Sequence, residues 1–211
     1  VHYDSLQQDR KDALEIARNT LRTLREKRPG AWAKTWAHGV DSVGKLLEAK
    51  DLFAGVALHV CFDKARHHFL VCNEAAKPTS LSLEAYLQAA ADRPHLKYWM
   101  TWQGIGRAEV GLAVAELARL EHDFKLTGRL VLETGGDALY PELKRLGRQR
   151  IVHAYRLPPE SAACQASAGK VACAHQSASL VRNMGIVGAT VLSFAKSDES
   201  FVRQYARELR G

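Results

Sequence analysis

The stretch Thr35-Trp36-Ala37-His38-Gly39-Val40-Asp41-Ser42 is followed, after one helical segment, by Gly55-Val56-Ala57-Leu58-His59-Val60-Cys61-Phe62-Asp63. Each stretch predicts a short buried strand that carries a histidine toward its C-terminal end. Folds of the α/β class place their ligands and their chemistry at the carboxyl ends of the strands. We therefore expect His38 and His59 to lie together at one end of a sheet.

Strand-like and helix-like segments alternate along the rest of the chain. Central strands are predicted at 31–40, 55–62, 96–103, 129–134, 150–157 and 187–194, with a short return strand at 68–73. Helices are predicted at 4–27, 42–49, 81–91, 107–122, 137–146, 175–183 and 198–209. This alternation predicts a parallel sheet with right-handed crossovers, and because it continues past five units it favours a TIM-like barrel. Six central strands are two fewer than the eight of a complete barrel, so either further strands are not recognised or the barrel is open, truncated or closed by the N-terminal helix or another chain.

The first segment is the clearest amphipathic helix in the sequence. Apolar residues recur at helical spacing among charged ones until Pro29-Gly30 ends the pattern. We predict that residues 1–30 form a helix packed on a barrel made of residues 31–211, within a single domain.

Composition narrows the classes of partner. The chain has 211 residues, 46% of them hydrophobic, and a formal net charge of +7. A basic surface attracts anions, which predicts an anionic small molecule, a lipid headgroup or a polysaccharide as ligand. The sequence has no lysine-rich run with interleaved aromatic residues, so specific nucleic-acid binding is not expected, and it has no apolar run long enough for a transmembrane segment.

Four cysteines are present. Cys61 and Cys72 flank a polar segment at positions that face each other in a hairpin, and Cys164 and Cys173 bracket a loop of small residues. Two disulfides, Cys61-Cys72 and Cys164-Cys173, are therefore predicted in a secreted or periplasmic protein whose signal peptide has been removed. The alternative is four buried free thiols. A zinc site is less favoured because no Cys-x-x-Cys pair exists.

The chain resembles a known family of barrels in the order of its motifs from residue 31 to residue 194. His38-Gly39-Val40-Asp41-Ser42 is similar to a His-Ala-Val-Asn-Ser motif, residues 55–60 lie where that family has Gly-Ile-Glu-Leu-Asp-Val, and residues 69–74 lie where it has a strand ending in His-Asp. The family is the glycerophosphodiester phosphodiesterase and phosphatidylinositol-phospholipase-C-like superfamily, in particular its menorin-like branch. The resemblance implies phosphodiester cleavage by two histidines around a divalent cation held by carboxylates.

Several parts of that catalytic set are replaced. His38 keeps the first histidine, but Asn73 stands where the second is expected. Ala57 and His59 occupy the positions of metal carboxylates, and Thr101 and Gln103 stand where a carboxylate and a lysine belong. Mg²⁺ and Ca²⁺ need oxygen ligands, preferably charged ones. We therefore expect a degenerate member that has lost the ancestral catalysis, with His38 as its one remaining catalytic residue and no metal or cofactor.

A different metal site is the alternative. If His38, His59, Glu133 and His153 all pointed inward, three imidazoles and a carboxylate would suit Zn²⁺. The competing interpretation is that each histidine makes ordinary hydrogen bonds in a polar barrel mouth.

Ligand-binding residues are predicted at the same end of the sheet. Trp99 offers an aromatic surface, and Arg156 offers a bidentate contact to phosphate or carboxylate. The complete predicted ligand site is His38, Asp41, His59, Trp99, Gln103, Glu133, His153 and Arg156.

Three functions remain open. The favoured one is a barrel that binds an anionic ligand or partner without catalysis. The second is an active metal-dependent phosphodiester hydrolase with a rebuilt His/Glu site. The third is a structural or assembly protein in which a protein partner or a second copy covers an open barrel edge.

Overall fold

The structure, a computed structural model, describes residues 2–73, 75–104, 106–135, 139–157, 170–194 and 199–204. Its strands are β1 (Trp36–Ala37), β2 (Gly55–Asp63), β3 (His68–Cys72), β4 (Pro78–Ser82), β5 (Lys97–Trp102), β6 (Leu130–Thr134), β7 (Val152–Arg156) and β8 (Val191–Ser193). They form one sheet in the order β4-β3-β2-β5-β6-β7-β8, with β1 also paired to β2.

Six of these strands are parallel, and they follow one another in chain order from β1 to β8. Only β3 and β4 run antiparallel, as a hairpin and return beside β2. The sheet is therefore mixed and mostly parallel, which confirms the predicted α/β class and its six central strands. No pairing between β8 and β1 is found in the described part of the chain.

The helices lie between the strands. They are α1 (His2–Lys27), α2 (Pro29–Trp32), α3 (Val43–Ala49), α4 (Leu83–Gln88), α5 (Val110–Asp123), α6 (Arg145–Arg148), α7 (Lys170–Val187) and α8 (Glu199–Gln204), with a 3₁₀ turn at Pro141–Lys144 before α6. Ser42 and Ser82 cap α3 and α4, since their hydroxyls accept bonds from the N–H groups of Lys45 and Ala85. None of the described helices is long and apolar enough to cross a bilayer.

The structure differs from the predicted elements at several places. The strand expected at 31–40 is reduced to two residues because Pro29 starts α2, a position where its fixed φ suits the first helical turn. The helix expected at 137–146 is divided into the 3₁₀ turn and α6. β4 was not predicted, because Pro78-Thr79-Ser80-Leu81-Ser82 is polar and begins with proline.

The N-terminal helix α1 is confirmed as a helix. Of its side chains from residue 15 onward, Leu21 and Leu24 are half-buried and the others are exposed. Its main contact is with α2, where the Arg25 guanidinium lies 4.9 Å from the centre of the Trp32 ring. Its packing on the barrel remains a prediction, as does the division into residues 1–30 and 31–211.

The two faces of the sheet are occupied differently. Alternate side chains define an outer face, which consists of Val56, Leu58, Val60, Tyr98, Met100, Trp102, Leu130, Leu132 and Tyr155. All of these are buried and belong to one hydrophobic cluster that also includes the apolar sides of α4, α5 and α6. Burying each such side chain stabilises the fold by about 1.5–3 kcal/mol. The core therefore lies between the outer face and the helices.

The inner face carries the alternating positions Ala57, His59, Trp99, Thr101, Val131, Glu133, Ala154 and Arg156. Several of these are only half-buried, and Arg156 is exposed. None of these inner-face residues belongs to the hydrophobic cluster, and the side chains of His59, Trp99, Thr101 and Arg156 keep exposed surface.

Candidate functional site

An open groove of about 470 Å³ lies on the inner face, at the C-terminal ends of the six parallel strands. All six strands, or the residues directly after them, contribute to its lining, which includes Trp36, His38, Ala57, His59, Trp99, Thr101, Glu133, Arg156, Ser193 and Phe194. Ligand pockets in proteins commonly have volumes of about 300–1,000 Å³. The groove therefore has room for a small molecule, at the edge where α/β folds bind their ligands.

Glu133 and Arg156 form the charged centre of the groove. The Glu133 side chain is 5% exposed, and it accepts bonds from Trp99 Nε1 at 3.0 Å, Thr101 Oγ1 at 3.3 Å and Arg156 Nη1 at 3.3 Å. A buried carboxylate is tolerated when several donors satisfy it in this way. The Arg156 side chain is 56% exposed, so its remaining N–H donors can reach a ligand.

Two tryptophans form an aromatic wall beside this ion pair. Trp36 meets Trp99 edge to face, with ring centres 6.1 Å apart and ring planes at 83°. The other side of Trp36 rests on the backbone at Gly55, where even a Cβ atom would overlap its ring. Gly55 therefore permits the close approach that holds Trp36 in the groove, and the bond to Glu133 holds Trp99.

The loop after β1 positions His38. Gly39 adopts a left-handed conformation with φ of +66°, and its carbonyl accepts a bond from Lys45 Nζ at 3.0 Å. The Tyr86 hydroxyl donates to the Val40 carbonyl at 2.8 Å, and burial raises the pKa of this hydroxyl, so it remains protonated as a donor. His38 itself is exposed at the rim of the groove.

His59 lies deeper than His38, on the inner face of β2. Its Nδ1 atom is buried and has no hydrogen-bond partner among the residues that the structure describes. A buried polar nitrogen without a partner is uncommon in native structures. It is consistent with a position that a ligand or water completes.

His153 does not join this group. Its register partner in β6 is Leu132, an outer-face residue, so its ring points away from the groove into the core. The Thr134 hydroxyl lies 2.9 Å from Nε2, and the Val187 carbonyl lies 3.3 Å from Nδ1. Because a carbonyl only accepts, Nδ1 carries the proton and Nε2 accepts from Thr134. Burial lowers the pKa of His153, which keeps the ring neutral.

Asp41 and Gln103 also lie outside the lining of the groove. Asp41 pairs with Lys45 at 2.6 Å within the loop after β1. Gln103 follows β5, and its backbone N–H donates to the Val60 carbonyl at 2.9 Å. The structure thus gathers five of the eight predicted ligand residues and places Asp41, Gln103 and His153 elsewhere.

The groove does not suit a divalent cation. Glu133 is its one carboxylate among the described lining residues, and three donors already occupy its oxygens. Since His153 faces the core, the four-ligand set His38, His59, Glu133 and His153 is not assembled. In the described ranges, no group of three histidine, cysteine or acidic side chains has the geometry to hold a metal.

Asn73, at the position of the family's second histidine, has a structural role. Its side-chain oxygen accepts the backbone N–H groups of Ala75 and Lys77, each at 3.0 Å. The side chain therefore closes the turn between β3 and β4, as asparagine often does. It is not part of the groove lining.

A disulfide joins β2 to β3 beside the groove. Cys61 and Cys72 are bonded, with their Cα atoms 5.9 Å apart, which confirms this predicted pair. The strand partner of Cys72 is His59, so the cross-link lies next to an inner-face histidine. The second predicted pair lies outside the described residues, because Cys164 is not described and only the backbone of Cys173 is.

Seven lining residues were not among the predicted ligand residues: Trp36, Gly39, Ala57, Leu58, Thr101, Ser193 and Phe194. Trp36 lies two residues before His38, and Thr101 lies two residues after Trp99. Because alternate residues of a strand share a face, strand alternation alone places Thr101 on the same face as Trp99. Phe194 is 41% exposed directly after β8, and the sequence gives no comparable signal for it.

Comparison with known proteins gives matches in structure alone. No protein-family model and no curated protein sequence matches the chain. A glycerophosphodiester phosphodiesterase from Parabacteroides distasonis ATCC 8503 is 13% identical, with a TM-score of 0.42 over 82% of this chain and 96% of that one. A protein from Silicibacter pomeroyi DSS-3, described as a glycerophosphoryl diester phosphodiesterase, is 12% identical, with a TM-score of 0.49 over 82% and 86%. Both matches are similarities in structure at low sequence identity.

Proposed function

We propose that the groove binds a small anionic ligand and that the chain does not perform the metal-dependent cleavage implied by its resemblance to phosphodiesterases. The observation that carries this proposal is the half-exposed Arg156 guanidinium, held in the groove by the buried Glu133 carboxylate. An arginine fixed in this way presents its free N–H donors to a phosphate or carboxylate without losing further side-chain entropy.

The residues at the family's metal and acid–base positions support the proposal that the chain does not perform metal-dependent cleavage. Ala57, His59 and Thr101 offer no carboxylate where the resemblance requires charged oxygen ligands, and Asn73 closes a turn. Loss of a metal ligand and of one member of an acid–base pair each reduces a rate by about two to four powers of ten.

The disulfide suggests where this binding takes place. Because a Cys61–Cys72 bond persists in oxidising compartments, we include in the proposal that the protein works in a secreted or periplasmic setting.

Calorimetric titration with inorganic phosphate and with sulfate tests the binding proposal. We expect the wild-type protein to bind phosphate and Arg156→Gln to bind it about tenfold or more weakly, since a charged hydrogen bond contributes about 1.5–3 kcal/mol. The matched control is Arg148→Gln, which removes the same charge from an exposed helix before the N-terminal end of β7. Equal affinity in the wild type and Arg156→Gln would exclude Arg156 as the anion-binding group.

An active hydrolase is the second candidate, because His38 and His59 both line the groove. Its test is release of nitrophenol from bis(4-nitrophenyl) phosphate in the presence of Mg²⁺, Ca²⁺ or Zn²⁺, with metal analysis of the purified protein. We expect the background rate and no bound metal. A metal-dependent rate that disappears in His38→Ala would replace the binding proposal by the hydrolase.

A further inference from the structure

We infer that the ligand of the groove is an aromatic anion, in which a phosphate or carboxylate is attached to an aromatic ring that packs on Trp36 and Phe194. This inference rests on the proposed anion binding at Arg156. It is carried by the size of the groove, the rigidity of its aromatic wall and the shortage of free polar partners around it.

Size comes first. A water molecule occupies about 30 Å³ in the liquid, so a groove of about 470 Å³ holds roughly fifteen waters. A phosphate or carboxylate group on Arg156 displaces only a few of them. Most of the groove is therefore left for an organic part of the ligand, and ligands usually fill such pockets by burying most of their surface.

The aromatic wall is the surface that this organic part meets. Trp36 is seated on Gly55 and packs edge to face on Trp99, and the Trp99 N–H is bonded to Glu133. These contacts fix both rings before any ligand arrives, which lowers the entropy lost on binding. Phe194, 41% exposed, adds a third ring at the rim next to Arg156 and Ser193. A further ring fits this arrangement because aromatic pairs favour edge-to-face or offset contacts.

Polar chemistry distinguishes an aromatic ring from a sugar. The hydroxyl groups of a sugar need hydrogen-bond partners, and their burial without partners is unfavourable. The Glu133 oxygens already accept three bonds, and the Trp99 N–H and the Thr101 hydroxyl donate to them. The side chains that remain to bond a ligand are Arg156, Ser193 and the two histidines, whereas Trp36, Trp99 and Phe194 all present rings to the groove. A ring without hydroxyl groups matches these walls better.

Four probes test the inference: inorganic phosphate, glycerol 3-phosphate, glucose 6-phosphate and phenyl phosphate. We expect phenyl phosphate to bind about tenfold tighter than glycerol 3-phosphate, since ring contacts and buried apolar area together exceed about 1.4 kcal/mol. Phe194→Ala, at an exposed position, and Trp36→Leu should each lower this preference several-fold, with a larger loss of affinity for phenyl phosphate than for inorganic phosphate. Trp32→Leu in α2, outside the groove, is the matched control and should keep the preference.

The possible outcomes separate the two proposals. Equal affinities for phenyl phosphate and glycerol 3-phosphate, tighter binding of glucose 6-phosphate, or an unchanged preference in both aromatic variants would overturn the aromatic anion while leaving anion binding in place. Binding of phenyl phosphate that is insensitive to Arg156→Gln would instead overturn the anion contact on which the inference rests. Circular dichroism of each variant, with Phe194→Ala as the mildest change, shows that a loss of preference is not a loss of fold.

Discussion

The outer and inner faces of the same strands have opposite environments. On β5, Tyr98, Met100 and Trp102 are buried on the outer face, whereas Trp99 and Thr101 on the inner face are only half-buried. The outer face is held by apolar contacts with the helices, and the inner face by a few directed bonds around Glu133. The difference teaches that alternate residues of one strand are divided between the packed core and the open groove.

The largest effect should come from the outer face. Met100→Ala removes a fully buried side chain and leaves a cavity, so we expect the free energy of unfolding to fall by about 2–5 kcal/mol. Thr101→Ala, one residue away, removes one bond to Glu133 and should lower it by about 1 kcal/mol. Urea denaturation measures both values. Equal losses of unfolding free energy in the two variants would show that the two faces contribute equally to stability.

The next largest effect on the free energy of unfolding should come from the disulfide beside the inner face. The double variant Cys61→Ser/Cys72→Ser opens a link between residues separated by 11 positions, and a loop of this size corresponds to a loss of about 3 kcal/mol. Denaturation of the wild-type protein in reducing agent should approach the curve of the double variant. If the reducing agent leaves the wild-type curve unchanged while the variant is destabilised, the serine substitutions rather than the lost bond are responsible.

The buried ring of His153, on the outer face, predicts that the stability of the fold depends on pH. Burial lowers its pKa in the folded state, so below about pH 6.5 the unfolded chain takes up a proton that the folded protein does not. The contribution of the neutral His153 ring to the free energy of unfolding is complete above that pH. It decreases on acidification, by at most about 1.4 kcal/mol per pH unit for one proton.

The measurement is urea denaturation between pH 7.5 and pH 5. His153→Gln should show a shallower loss than the wild type over this range, because it has no titrating ring at this position. His122→Gln, on the exposed side of α5, should retain the full wild-type slope. Identical slopes in the wild type and His153→Gln would mean that another group controls acid stability.

The smallest effect is expected at the rim of the groove. Asp41→Asn breaks an ion pair with Lys45 in which the lysine side chain is 57% exposed, and such pairs contribute less than about 0.5–1 kcal/mol. The same denaturation assay should place this variant within error of the wild type at high salt. A loss comparable to that of Met100→Ala would show that the loop after β1 is part of the stabilising core.

The fold was largely predictable because the strands and helices alternate in sequence with clear apolar patterns. All six parallel strands, the hairpin after β2 and its disulfide followed from those patterns. β4 could not be predicted, since its backbone pairs with β3 while three of its five side chains are polar and the first three are exposed. Its existence depends on an available edge of the sheet rather than on its own residues.

The position of the groove was predictable, but only part of its lining was. A groove lies at the C-terminal ends of the strands, where the sequence predicts a site, yet His153 and Arg156 were both assigned to it. These two residues are three apart in one strand, so they must face opposite sides of the sheet. Alternation shows that only one of them can point inward, and the register with β6 selects Arg156. Phe194 lies beyond β8, where strand alternation no longer applies.

The chain-order arrangement of the parallel strands also has a consequence for how the groove is built during synthesis. Each of β5, β6, β7 and β8 pairs with a strand that precedes it in the chain, so its partner edge has already been synthesised when it emerges. Arg156 is flanked by the last of these strands, since it pairs with Ser193 and the Leu157 N–H donates to the Ser193 carbonyl at 2.7 Å. β8 is the last of these strands to be synthesised, so Arg156 gains its last strand neighbour, and the groove the last of the strands that line it, only when β8 has left the ribosome.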